Sequence, residues 1–185
     1  MARHEVVSPF GNETLARLRA GDTIAISGVL YTARDAAHKR LVDELERREK
    51  LPFELAGQTI YYMGPSPAPP GRVIGACGPT TSSRMDSFTP AVLEAGVKAL
   101  LGKGERSAAV RDALRKHGAV YLITYGGAGA LLAKAVQKAE VVAYPELGAE
   151  AVLRLEVKEL PAIVANDIYG GDLFEQQIPK YERKK

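Results

Sequence analysis

Apolar positions along the chain recur at two periods, and the alternation between them predicts an α/β protein. Residues 23–32 (Thr-Ile-Ala-Ile-Ser-Gly-Val-Leu-Tyr-Thr) alternate and are rich in β-branched side chains, which predicts a strand with Gly28 as a bulge. Residues 34–45 follow with helical spacing, placing Ala37, Leu41 and Leu45 on one stripe, with Asp35 near the helix start. A short helix over 12–18, capped by Asn12 and closed by Gly21-Asp22, precedes them. Residues 58–63 predict a second strand running into the stiff Pro-rich loop 64–71. The apolar run 72–76 reads as a short buried strand, and 90–101 as a helix ended by Gly102-Lys103-Gly104, with Val92, Leu93, Val97, Leu100 and Leu101 inward.

Ser107 predicts the cap of a helix through Val110, Leu114 and His117. A strand over 119–124 then leads to the turn Gly126-Gly127-Ala128-Gly129. Strand, glycine turn and helix resemble a dinucleotide fingerprint, but Leu132 occupies the third glycine position, so close packing or amide contacts to an anion explain the turn better. Strands over 140–144 and 151–157 precede 161–167.

The loop Cys77-Gly78-Pro79-Thr80-Thr81-Ser82-Ser83-Arg84-Met85-Asp86 lies between a predicted strand and a predicted helix, where chemistry is commonly carried. Gly78-Pro79 sets a turn that lets backbone approach a ligand; hydroxyls follow, and Arg84 adds a planar donor fork suited to a carboxylate or phosphate. The plainer reading is a Ser/Thr-rich turn with Thr80 or Thr81 capping a helix. Arg34 stands where a strand ends and a helix begins, a second place suited to a carboxylate; the plainer reading pairs it with Asp35 or Glu44 on the surface. His38, one turn on, either approaches the same pocket or lies partly exposed on the helix. Lys103, between two glycines, is a third cation at an element boundary.

Composition narrows the function classes. With 185 residues, 6% aromatics, no Trp, 18 Gly and 11 Pro, one α/β domain with tight connections is expected. The net charge of +3 is mild and interspersed up to the tail 180–185, which reads as a frayed terminus; nucleic acid is not called for. The amino terminus has no apolar leader and no apolar run reaches a membrane span, so a cytoplasmic location is expected. One cysteine, Cys77, excludes an internal disulfide and a cluster held by this chain's own thiolates. No Ser-His-Asp order, paired-carboxylate motif or metal-ligand spacing stands out. Arg34, Arg84 and Lys103 with the hydroxyl of Thr80 are handles for a small dicarboxylate without an electrophile: half a site.

At these residues the sequence resembles the β subunit, or C-terminal region, of iron-sulfur dependent hydro-lyases, the class I fumarases and L-tartrate dehydratases. The likeness runs through residues 28–40 (Gly-Val-Leu-Tyr-Thr-Ala-Arg-Asp-Ala-Ala-His-Lys-Arg), Tyr61-Tyr62-Met63-Gly64-Pro65, the loop 78–86, Gly102-Lys103-Gly104 and Gly148-Ala149-Glu150-Ala151. It implies a swivelling β/β/α domain with a mixed sheet and flanking helices. It implies a 4Fe-4S cluster carried by a separate α subunit. Arg34, Arg84 and Lys103 would bind fumarate or L-malate, and Thr80 would be the base, helped by an Asp of that subunit; His38, Thr81 and Asp86 would stand behind them. The expected activity is reversible hydration of fumarate to L-malate. The alternatives are an L-tartrate dehydratase subunit, a dicarboxylate-binding or regulatory subunit without catalysis, and a nucleotide-binding module built on the glycine turn. Self-association of the isolated chain stays open.

Overall fold

A computed structural model describes residues 2–183. Seven strands, β1 (Arg3–Ser8), β2 (Thr23–Thr32), β3 (Thr59–Tyr61), β4 (Ala99–Gly102), β5 (Val120–Ile123), β6 (Val136–Ala143) and β7 (Val152–Asn166), make one mixed sheet in the order β1-β2-β3-β4-β5-β7-β6. β7 also pairs with β2, so β2, β3, β4, β5 and β7 close on themselves as a five-stranded barrel-like sheet, with β1 and β6 attached outside. The pairs β2–β3, β3–β4 and β4–β5 are parallel, whereas β7 runs antiparallel to both β2 and β5. The expectation of a mixed sheet with flanking helices is met.

Side chains of the parallel strands alternate between two buried cores. Tyr61, Leu101 and Leu122 join the core that also holds Ile26, Leu30 and Val164; Ile60, Leu100 and Tyr121 face the helices α2 (Asp35–Glu46), α3 (Thr89–Glu94) and α4 (Ala108–His117). Burial on both faces is what makes these strands read as unbroken apolar runs. Gly28 has φ +103°, and a Cβ there would stand 2.2 Å from the Ser8 carbonyl oxygen. The β2–β7 register shifts between Ile26 and Gly28, which is the predicted bulge.

Three local expectations are corrected. Residues 72–76 form no strand: Val73 is 53% exposed, and the Ala76 amide bonds the Ser66 hydroxyl rather than a strand partner. The helix expected over 90–101 stops at Glu94, because Gly96 turns the chain at φ +101°, and Leu100 and Leu101 belong to β4. Lys103 therefore leaves a strand end, not a helix end. The helix α1 (Asn12–Arg17) is flanked by Gly11 at its N-cap, so Asn12 is its first residue and no side chain caps it. A last helix, α5 (Leu173–Tyr181), takes in Lys180 and Tyr181; of the expected frayed tail, Lys184 and Lys185 lie outside the described residues. No described helix is long and apolar enough to cross a membrane.

Candidate anion-binding site

Parallel strands β2, β3, β4 and β5 point the same way, so the segments leaving their C-terminal ends gather at one end of the sheet, the usual place for a ligand in α/β folds. Arg34 follows β2 and takes the N-cap position of α2 with extended backbone (φ −118°, ψ −161°). Its side chain cannot cap the helix. Glu150 does so from a distant segment, its Oε2 accepting the Ala36 amide at 2.8 Å while Oε1 stands 3.7 Å from Arg34 Nη2. The aliphatic stem of Arg34 crosses Gly64, where a Cβ would lie 3.0 Å from Arg34 Cδ and 2.5 Å from the Ala149 carbonyl oxygen. Gly64 and the Gly148–Ala151 stretch are thus where the backbone makes room for Arg34.

Arg84 sits on a 3-10 turn, Ser82–Met85, after the hydroxyl-rich loop. Its Nε donates to Asp35 Oδ1 at 2.9 Å, and its side chain is 51% exposed. Arg34 Nη2 lies 3.8 Å from the other oxygen of the same carboxylate. Two guanidiniums fifty positions apart in sequence meet at Asp35. Arg34 Nε and Asp35 Oδ2 are buried and lack a hydrogen-bond partner among the described residues, an orphaned donor and an orphaned acceptor in one place.

The loop between them is held by main chain. The Thr80 amide donates to the Tyr62 carbonyl at 2.7 Å, and Thr81 pairs with Lys103 in a parallel bridge. The Ser82 amide donates to the Lys103 carbonyl at 2.9 Å, while buried Ser82 Oγ accepts the Lys103 amide and the Tyr121 hydroxyl. Thr81 flanks the 3-10 turn without capping it. Lys103 is therefore fixed at its backbone beside Thr80 and Thr81, and its side chain runs along Gly126. Thr80 is half-buried.

Beneath the loop lies a charged group that the sequence did not signal. Arg106 is fully buried, its Cζ 4.9 Å from the Tyr121 ring centroid and 5.3 Å from that of Tyr62. Its Nε donates to Asp86 Oδ1 (2.8 Å), Nη2 to Thr89 Oγ1 (2.6 Å) and Nη1 to the Tyr62 hydroxyl (3.3 Å). Asp86 Oδ2 accepts the Ser107 amide at 2.8 Å. Both oxygens of Asp86 are committed, so it anchors the loop from below.

His38 is completely buried against Tyr62 and Phe88, which rules out the partly exposed alternative. Its Nδ1 lies 2.9 Å from the Arg34 carbonyl; because that oxygen only accepts, Nδ1 carries the proton. Burial, with the nearby Arg106 charge, pushes the imidazole down to about 4, so it is neutral at pH 7 and supports the Arg34 backbone. Cys77 is buried but outside any strand; its thiol donates to the Gly75 carbonyl at 3.4 Å, and burial pushes it up to about 11. No group of three or more His, Cys, Asp or Glu fit to hold a metal occurs among the described residues. The side chains present do not suit an iron-sulfur cluster. The glycine turn packs closely at Gly129: the Cys77 amide donates to the Gly129 carbonyl, and a Cβ on Gly129 would meet the Gly78 nitrogen at 2.8 Å.

Sequence reasoning brought out Arg34, Arg84 and Lys103, and a surface pair of Arg34 with Asp35, but not Asp35 as the meeting point of the two arginines, nor Glu150 or Arg106. Asp35 and Glu150 had signals, the first adjoining Arg34 and the second lying in a Gly-Ala-Glu-Ala stretch.

A family model described as the fumarase C-terminus matches residues 4–177. The aerobic class I fumarate hydratase of Salmonella typhimurium is 39% identical over 166 residues, covering 89% of this chain and 29% of that protein. The anaerobic class I fumarate hydratase of Escherichia coli is 38% identical over 168 residues, 90% of this chain and 31% of that protein. A putative L(+)-tartrate dehydratase subunit beta of Methanocaldococcus jannaschii is 37% identical over 174 residues, 91% of this chain and 89% of that protein. The chain thus spans about three tenths of the length of these fumarate hydratases. It belongs to the fumarase C-terminus family.

Proposed function

We propose that this chain is the substrate-gripping half of a two-polypeptide hydro-lyase that reversibly adds water to fumarate to give L-malate. The observation that carries the reading is the convergence of Arg34 and Arg84 on Asp35 at the open end of the parallel strands. Each guanidinium offers a planar fork to one carboxylate, and Lys103 adds a point charge beside the loop. A charge-assisted contact of this kind contributes about 1.5–3 kcal/mol. Cations so placed would stabilise the aci-carboxylate as its second negative charge develops.

Thr80 is the proposed base for the C3 proton of malate. A threonine hydroxyl is far too weak to act alone, and its side chain bonds no carboxylate among the described residues, so the group that activates it belongs to the partner polypeptide. On this reading the 4Fe-4S cluster is the partner's too; Cys77, buried and with its thiol pushed up to about 11, is unsuited to ligate it.

A second reading, a tartrate dehydratase subunit, rests on the likeness to the putative L(+)-tartrate dehydratase subunit beta, 37% identical over 174 residues. Anaerobic co-expression with the partner polypeptide, followed by turnover of fumarate against L-tartrate, separates the two. Fumarate turnover that falls at least about tenfold in kcat/KM in Arg84→Ala supports the proposal. A loaded complex active on tartrate and inert toward fumarate rejects it in favour of the second reading. In Thr80→Val, an undiminished kcat would reduce Thr80 to a binding residue.

A further inference from the structure

We propose that Asp35 is the positioning residue of the anion site, holding Arg34 and Arg84 side by side and deciding which edge of Arg84 meets the substrate. This rests on the functional reading above for the identity of the anion, though not for the geometry.

A guanidinium has two edges able to grip a carboxylate, one made by Nε with an Nη and one made by the two Nη groups. Asp35 takes Arg84 at Nε, 2.9 Å away. The Nη1/Nη2 edge of Arg84 makes no hydrogen bond among the described residues, and half of the side chain is exposed. One edge is therefore spent on orientation and the other is left as a fork. Arg84 also comes from a 3-10 turn and Arg34 from a helix N-cap, so nothing in the backbone joins them directly. Two cations brought this close repel each other unless an anion stands between them. Asp35 is that anion, with Oδ1 toward Arg84 and Oδ2 3.8 Å from Arg34 Nη2.

The carboxylate is itself placed from the other side. It is the first residue of α2, whose amide end Glu150 closes at Ala36. Glu150 thus holds the helix start, the helix start holds Asp35, and Asp35 holds the two arginines. Asp35 does not fill the fork, so substrate need not displace it, and its loss costs affinity rather than relieving competition.

The test compares Asp35→Ala and Asp35→Asn in the co-expressed complex. Asp35→Ala is expected to raise KM for fumarate at least about tenfold, with any fall in kcat smaller than the rise in KM, because the two arginines lose their placement for the bound dianion more than for the charge that develops on it. Asp35→Asn keeps an acceptor for Nε but not the charge, and is expected to fall between Ala and wild type. An unchanged KM in Asp35→Ala, or a loss confined to kcat, overturns the proposal. A second measurement does not depend on turnover. In the nitrogen-15 labelled chain the Nε–H signal of Arg84, assigned by its loss in Arg84→Lys, should be protected from solvent exchange, and Asp35→Ala should abolish that protection. Fast exchange in the wild-type chain overturns the proposal. A protected signal in a complex inert toward fumarate upholds Asp35 while rejecting the assigned reaction.

Discussion

Replacing Asp86 by Ala would remove the counterion of a cation that has no route to water. Arg106 has a side-chain exposure of 0%, against 17% for Asp86, and its remaining partners, Thr89 Oγ1 and the Tyr62 hydroxyl, are neutral. Breaking a buried ion pair by deleting one member typically costs about 3–5 kcal/mol, because the survivor stays charged and unpaired. Asp86 touches solvent at its edge, so water can partly replace it, and we place the cost near the lower bound, about 3 kcal/mol. The Ser107 amide also loses its acceptor, but Ser107 is exposed and water can take the bond. At roughly 2–4 °C per kcal/mol for a chain of this size, Tm should fall by about 6–12 °C. Urea unfolding of the isolated chain followed by circular dichroism measures the free-energy loss, and a thermal melt the shift in Tm. The decisive variant is the pair Asp86→Ala with Arg106→Met, which removes charge and counterion together and should be more stable than Asp86→Ala alone. A loss below about 1 kcal/mol in the single variant, or strictly additive losses in the pair, would refute the reasoning.

Two further perturbations are read from the same end of the sheet. Gly64→Ala would drive a Cβ to 2.5 Å from the Ala149 carbonyl and 3.0 Å from Arg34 Cδ, whereas Gly126→Ala meets only the Lys103 side chain, Cδ at 3.5 Å and Nζ at 3.9 Å. We expect the first to cost on the order of 1–3 kcal/mol and to weaken substrate binding, and the second to be tolerated within about 1 kcal/mol, as thermal melts and KM will show. His38, held near 4 when folded against 6.5 when free, leaves the unfolded chain binding more protons between those values. Its contribution is therefore intact above pH 6.5 and lost as pH falls toward 4, by about 3 kcal/mol in all. His38→Gln should lack that slope, so the stability difference between wild type and variant should shrink by about this amount from pH 7 to pH 4; a constant difference would show that His38 does not titrate on unfolding.

What the sequence disclosed follows from where each signal is local. The bulge at Gly28, the Ser107 cap and the strand-to-helix passage at Arg34 depend on neighbours in the chain, and all stand as expected. The run 90–101 misled because a strand buried on both faces has no alternation to show; Leu100 faces one core and Leu101 the other, a pattern equally fit for a helix. Residues 72–76 misled in the opposite sense, since apolar Val73 is exposed and only Ile74 and Cys77 nearby reach the core. For the site, the residue types of the cations were legible, but their meeting was not. Asp35 is joined to Arg84 across 49 positions, and nothing in the spacing of Arg106 marks it as the buried support of the loop.

The arrangement of support explains why the cations can sit so openly. Charges grouped on a free surface gain little from one another and are screened by salt, so affinity for a small dianion depends on holding them still. Here rigidity is supplied from below: Arg106 and Asp86 pin the loop that ends at Arg84, His38 bonds the Arg34 carbonyl, and Ser82 locks Lys103 by its backbone. Arg106, His38 and Ser82 are buried and Asp86 touches solvent only at its edge, while the three cationic ends remain at least partly accessible. Such a surface is pre-formed before substrate arrives but not enclosed by this chain. On the proposed function, a second polypeptide closing over it would exclude water and strengthen every one of these contacts.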